Sequence, residues 1–305
     1  MVEPTLNYVA CPGAAVHGTP THRMAYWEWN QTGDPAHPHV IVCVHGLTRQ
    51  GRDFDVLARD LSRSARVICP DVAGRGRSDW LAQPKTYGVP QYTVDMLALL
   101  QQVHATAPIG VLDWLGTSMG GLIGMAVAGN PELPLPVPVR KLLLNDVGPV
   151  LEWSALQRIA QYVGQPAHFD SVQQGAEALR LLSAGFGPHT QAQWLALSQP
   201  MLRSAAQGGW ELHYDPAIAL PMQGMTQAQS EQSQPLLWQL YDGIKAQTLL
   251  VRGAQSDLIT RDTATAMQLR GPRARVVELE NVGHAPTFVA DDQVVIARNF
   301  FLGDE

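Results

Sequence analysis

Asp113-Trp114-Leu115-Gly116-Thr117-Ser118-Met119-Gly120-Gly121 is the stretch on which the reading of this chain turns. Ahead of it stands Ile109-Gly110-Val111-Leu112, a short apolar run of the kind that forms a buried strand. Behind it, Leu122-Ile123-Gly124-Met125-Ala126-Val127-Ala128 combines small residues with helix formers, and Asn130-Pro131 ends the run because proline cannot continue a helix. Ser118 therefore lies between a strand and a helix, inside Gly-x-Ser-x-Gly. In that context the pattern marks a nucleophile elbow. The glycines have a spatial reason: a sharp strand-to-helix turn brings backbone against backbone, and a Cβ does not fit on either side. Such a turn holds the serine in a sparsely populated conformation and exposes its hydroxyl at a helix N-terminus, where negative charge is favoured.

Two further groups complete a constellation. The sheet pattern returns late in the chain at Thr248–Arg252 and ends in Gly253-Ala254-Gln255-Ser256-Asp257, and a last strand at Arg275–Leu279 leads into Asn281-Val282-Gly283-His284-Ala285-Pro286. Ser118, Asp257 and His284 thus fall at the carboxyl ends of three predicted strands, in the chain order expected for a triad on such a sheet. A serine hydroxyl needs a base to take its proton as it attacks, an imidazole titrates in the right range, and a carboxylate fixes the ring's tautomer. Asp146, at the end of the strand Arg140–Asn145, is the rival acid; here the pattern gives it a structural or pocket-lining role. A third piece is Val40-Ile41-Val42-Cys43-Val44, a β-branched run that ends in His45-Gly46-Leu47. The N–H groups of Leu47 and of Met119, the residue after the nucleophile, are the expected oxyanion hole, with His45 bracing the loop.

The intervening chain alternates strands with helices, which implies a parallel sheet with right-handed crossovers. Ala65–Pro70 reads as a strand running into Asp71-Val72-Ala73-Gly74-Arg75-Gly76-Arg77-Ser78. Gly74-Arg75-Gly76 does not extend to a dinucleotide fingerprint, since Asp79 stands where the third glycine belongs, and a tight internally bonded turn is expected. Tyr92–His104 has helical spacing through Val94, Leu97, Leu100 and Val103. Residues 1–20 read as an irregular lead-in. From about Val150 to Ile244 the character changes to glutamine, alanine and tryptophan, giving a helical insertion with helices near 151–163, 172–184, 191–206 and 236–241. His168, His189 and His213 lie scattered in it without metal-ligand spacing.

With 46% hydrophobic and 16% charged residues the chain is globular, and 305 residues suffice for one large domain with an insertion. The net charge of -6 argues against a nucleic-acid groove, which needs a basic stripe. No apolar run approaches a membrane span, and the N-terminus lacks the pattern of a secretion signal. Three cysteines, Cys11, Cys43 and Cys69, cannot all pair, and Cys43 and Cys69 lie in apolar strand-like runs as buried thiols. A cytoplasmic protein is expected.

Taken together, the motifs resemble the α/β-hydrolase fold superfamily from about Tyr26 to the C-terminus. His45-Gly46, Asp71–Ser78, Gly116–Gly121, Gly253–Asp257 and Gly283-His284 carry the resemblance. It implies an α/β fold: a mostly parallel, eight-stranded, doubly wound sheet with a helical cap inserted after the sixth strand. Residues 1–149 and 245–305 then form the core domain and 150–244 the cap. Ser118 separates the chain from the dehalogenases and epoxide hydrolases of the superfamily, which carry aspartate at the elbow. The meta-cleavage-product hydrolases share Ser-Met-Gly-Gly but continue His-Gly into a Gly-Pro-Gly-rich loop, where this chain has Leu47-Thr48-Arg49. The perhydrolases favour phenylalanine where Thr117 stands. The expectation is therefore a serine hydrolase of a small or medium carboxylic ester, needing no metal or organic cofactor. The alternatives are hydrolysis of a carbon–carbon bond and a non-catalytic ligand-binding member of the fold. Acyl and alcohol preference and oligomeric state are not encoded in the pattern.

Overall fold

The computed structural model describes residues 2–13 and 21–303. In chain order the strands of the main sheet are β1 (Thr5–Cys11), β2 (His22–Trp29), β3 (His39–Val44), β4 (Arg66–Pro70), β5 (Val111–Thr117) and β6 (Val139–Asn145), joined by helices α1 (Asp55–Leu61), α2 (Val89–Thr106) and α3 (Met119–Gly129). The insertion follows: α4 (Trp153–Tyr162), β7 (His168–Phe169), α5 (Val172–Leu182), α6 (Gln191–Ser198), β8 (Leu202–Ser204), β9 (Trp210–Leu212) and α7 (Gln227–Gly243). The chain then returns to the sheet with β10 (Gln247–Gly253), α8 (Arg261–Leu269), β11 (Arg275–Leu279) and α9 (Asp291–Leu302).

The eight strands lie in the order β1-β2-β4-β3-β5-β6-β10-β11. The pairs β1–β2 and β2–β4 are antiparallel and the rest parallel. The strand period of two explains the core. Val40, Val42 and Val44 of β3 enter one apolar cluster together with Trp114 and Leu142; Ile41 and Cys43 enter the other with Leu115 and Leu143. Both faces are covered, which is why these strands read as unbroken apolar runs. The chain leaves β3 for β4 on one side and returns to β5 on the other. The crevice at the carboxyl ends of β3 and β5 is thus a topological switch point, where this class of sheet binds ligands.

Some expectations need correcting. The lead-in is not irregular throughout: Thr5–Cys11 pairs with β2 from Thr5↔Glu28 to Cys11↔His22, while residues 1 and 14–20 lie outside the described residues. An edge strand half open to solvent carries a mixed polar sequence, so its signal was weak. Helix α2 buries Leu100 and Val103 as expected, but Val94 is exposed, and Tyr92, Met96 and Leu99 complete the buried face. The insertion contains a three-stranded antiparallel sheet, β7-β9-β8, besides its helices. Among the described residues no helix is long and apolar enough to cross a membrane.

Candidate active site

The elbow is tight in every dimension. Ser118 has φ 51° and ψ -115°, a conformation that costs a non-glycine residue about 1–3 kcal/mol. A Cβ on Gly116 would lie 2.3 Å from the Gly120 carbonyl oxygen, and one on Gly120 would lie 2.0 Å from that of Val44. These two glycines let β5, the turn and the end of β3 pack as closely as they do. Gly46 sits across from the nucleophile, its would-be Cβ 3.7 Å from that of Ser118.

His284 Nε2 lies 2.9 Å from Ser118 Oγ, and its Nδ1 lies 2.7 Å from Asp146 Oδ2. Asp146 follows β6 directly, at φ 53°, and is fully buried. Its other contacts explain how a carboxylate is held there. Gly253 N–H donates to Oδ1 at 2.9 Å, and Ser256 Oγ–H donates to Oδ2 at 2.7 Å. The expected acid, Asp257, is elsewhere: its carboxylate accepts from Arg158 of α4, Nε at 2.7 Å and Nη2 at 2.9 Å, where both side chains are exposed. The reason is the path of the loop after β10. Gly253 and Ser256 turn inward to serve Asp146, which leaves Asp257 facing out. Asp146, the sequence's rival candidate, takes the position beside the ring.

His45 is fully buried, and its bonds define its tautomer. Nε2 accepts from Val72 N–H at 2.9 Å, so Nδ1 carries the proton and donates to the Gly46 carbonyl at 2.7 Å. Burial holds the ring neutral, far below the usual histidine range. Pinning the Gly46 carbonyl pins the trans peptide plane it shares with Leu47, whose N–H must point the opposite way. Arg75, fully buried, grips the same loop: Nε donates to the Leu47 carbonyl at 2.9 Å, and Nη1 donates to Ala73 O at 2.6 Å and Tyr92 Oη at 2.8 Å. Its Nη2 also lies 3.5 Å from Met119 Sδ. The Gly74–Gly76 segment is thus the internally bonded turn that the sequence suggested. Asp71 anchors it, accepting from the N–H groups of Gly51 and Arg77 at 2.8 Å each, while burial pushes its carboxyl up to about 6.

Contacts from the insertion pin it to this floor. His213 Nδ1 accepts from Gly76 N–H at 2.7 Å and its Nε2 donates to Thr48 O at 3.2 Å; burial lowers its pKa to about 3. Tyr87 Oη–H donates to Asp215 Oδ2 at 2.6 Å, Arg49 Nη2 to Leu197 O at 2.9 Å, and Gly283 N–H to Gly185 O at 2.6 Å. The last contact joins the insertion to the loop that carries His284. His213 gave no sequence signal beyond being a lone histidine. His189 bonds Thr287 Oγ1 at 2.7 Å in the same loop. Two tryptophans of the insertion make ring contacts there, Trp194 stacking on Phe186 and Trp238 meeting Tyr241 edge-on, and Trp238 also packs against the main apolar cluster.

Two cavities meet at Ser118. One, of about 910 Å³ including the solvent at its mouth, is bounded by Thr48, Arg49, Arg158, Tyr162, His213 and His284. The other, of about 1050 Å³ on the same measure, is mostly apolar and is bounded by Leu47, Met119, Leu122, Leu156, Met222 and Met225. An alcohol bonded to an imidazole, itself bonded to a buried carboxylate, is an arrangement that activates a nucleophile toward a carbonyl.

The family description "Alpha/beta hydrolase family" matches residues 41–298. The chain is 48% identical over 305 residues to a 3-hydroxybutyrate-oligomer hydrolase of Cupriavidus necator, covering 99% of each protein. Among solved structures it is similar to a putative hydrolase from Rickettsia typhi, with TM-score 0.86, 27% identity and coverage of 99% of this chain and 100% of that one. It is also similar to an alpha/beta hydrolase from Novosphingobium aromaticivorans, with TM-score 0.81, 32% identity and full coverage of both.

Proposed function

The chain belongs to the alpha/beta hydrolase family, and we propose that it cleaves the ester bonds of short 3-hydroxyacid oligomers, 3-hydroxybutyrate oligomers above all, through Ser118, His284 and Asp146. The unbroken hydrogen-bonded relay between these three side chains carries the proposal. Ser118 Oγ attacks the ester carbonyl carbon while His284 Nε2 takes its proton. Asp146 holds the Nδ1 proton and stabilises the imidazolium that forms. The Leu47 and Met119 N–H groups receive the oxyanion, each such donor being worth about 10²–10³ in rate. The tetrahedral intermediate collapses, and the leaving alcohol takes the proton from His284. Water, deprotonated by the same ring, then attacks the acyl-enzyme and releases the acid.

The core of residues 1–149 and 245–305 supplies this machinery, and the cap of 150–244 closes over it as the element that selects substrate. The substrate class rests on the relative at 48% identity and on the two cavities that share Ser118, which suit an ester with one extended chain in each. Three buried free thiols are in keeping with action in the reducing cytoplasm. The test is turnover of 3-hydroxybutyrate dimer and trimer and of p-nitrophenyl butyrate by the wild type and by Ser118→Ala. Wild-type turnover with a loss of about 10⁴-fold or more in the variant is expected. Equal rates in the two proteins would refute the mechanism. Turnover of the p-nitrophenyl ester without turnover of the oligomers would refute the substrate.

A further inference from the structure

The two cavities at Ser118 differ in charge. Among the described residues, no Arg, Lys, Asp or Glu lines the apolar one. The other is lined by two arginines, Arg49 and Arg158, and among the described residues by no carboxylate, in a chain of net charge -6. His213, which also lines it, is buried and neutral. Arg49 is committed: its fork holds Asp53 at 2.7 and 2.6 Å and reaches Leu197 O. Arg158 is held differently. Asp257 grips its Nε and Nη2 edge, where the two side chains are 43% and 45% exposed. An ion pair so open to water contributes little, so another carboxylate can replace Asp257 at small cost. A planar guanidinium is suited to two-point capture of a carboxylate, and the Tyr162 hydroxyl beside it is a second donor.

We propose that Arg158, with Tyr162, binds the free carboxylate of the hydroxy acid that leaves, so that oligomers are cut from their carboxylate end. The proposal rests on the ester-hydrolase reading. In a hydroxyacid dimer the carboxylate belongs to the alcohol half. The acyl half then lies in the apolar cavity and becomes the acyl-enzyme on Ser118. The ester C–O bond breaks, the alkoxide oxygen takes its proton from His284, and the product leaves as hydroxy acid with its carboxylate still on Arg158. The substrate carboxylate replaces Asp257 on the Nε and Nη2 edge.

The experiment compares 3-hydroxybutyrate dimer as the free acid with its methyl ester, which lacks the carboxylate charge, turnover of both being read as cleavage of the internal ester bond. Wild type should favour the free acid at least tenfold in kcat/KM. Arg158→Gln should cut that ratio at least fivefold, through a raised KM for the free acid, and Arg158→Lys should restore part of it. Asp257→Asn removes the competing carboxylate and should lower the KM for the free acid. No preference in the wild type, an unchanged ratio in Arg158→Gln, or an equal loss on both esters would overturn the role of Arg158. Persistence of methyl-ester hydrolysis in Ser118→Ala would instead overturn the ester-hydrolase reading itself.

Discussion

Asp146 Oδ2 lies 2.7 Å from His284 Nδ1, and the same oxygen accepts a hydrogen bond from Ser256 Oγ. A buried carboxylate is stable only when its lone pairs are satisfied, and here a backbone N–H, a hydroxyl and an imidazole all point at it. The arrangement separates two aspartates that occupy similar places in the sequence. Asp146→Asn should lower kcat by about 10³–10⁴, because the amide no longer selects the tautomer that leaves Nε2 free to accept the serine proton. Asp257→Ala should keep kcat on p-nitrophenyl butyrate within about threefold. Steady-state kinetics of the two variants decide the assignment, and the reverse ranking would restore Asp257 as the acid.

That Ser118 and His284 meet is legible in the sequence, because the elbow imposes glycines at fixed offsets and the histidine follows a strand within Gly283-His284. The main strands β3, β5, β6 and β10 are legible too, because burial on both faces writes itself as an apolar run. The choice between Asp146 and Asp257 is not. Both follow strands and both preserve the Ser, Asp, His order, and what separates them is which side of one turn Ser256 faces. Edge strand β1 escaped because its stability comes from pairing with β2, not from its own pattern. The roles of His213 and Arg75 depend on partners far away in sequence; His213 stands 137 positions after the Gly76 whose N–H it accepts from.

The strain at Ser118 is open to measurement. Alanine and glycine both remove the hydroxyl and its bond to His284, but glycine accepts φ 51° without steric cost. Ser118→Gly should therefore be more stable than Ser118→Ala by about 1 kcal/mol, visible as a higher urea midpoint at unchanged slope. Equal midpoints would mean that the elbow is relaxed.

Arg75 links the two residues proposed to hold the oxyanion. Removing its guanidinium leaves the Leu47 and Ala73 carbonyls and the Tyr92 hydroxyl short of a donor in the interior, at about 1–3 kcal/mol each for groups that find no water. Arg75→Met should lower stability by roughly 3 kcal/mol or more on that basis. It should also lower kcat more than it raises KM, because the Leu47 loop loses its tether while both cavities stay open. A stable variant with normal kcat would show that His45 alone positions the loop.

Buried histidines and buried carboxylates pull the pH dependence of stability in opposite directions. His213 and His45 both sit below the free-histidine value of 6.5 in the folded chain, His213 at about 3. Unfolding lets them take up protons below pH 6.5, so their contribution is complete above that pH and is lost as pH falls toward their folded values. Asp71 is raised from 3.8 to about 6. The folded state holds its proton more tightly, so Asp71 favours folding below pH 4, and that gain disappears as pH rises through 6. Asp53 and Asp55, also raised by burial, act in the same direction as Asp71 and against the two histidines, so the histidine contribution is isolated by comparison: from pH 7.5 to pH 5 the urea midpoint of the wild type should fall further than that of His213→Asn. His213→Asn keeps a donor and an acceptor but cannot charge, so it should flatten the decline. Because His213 joins the insertion to the Gly76 and Thr48 backbone, proteolysis within residues 150–244 should accelerate in acid before the core unfolds. A wild-type profile as flat as that of the variant would mean that His213 does not carry the acid response.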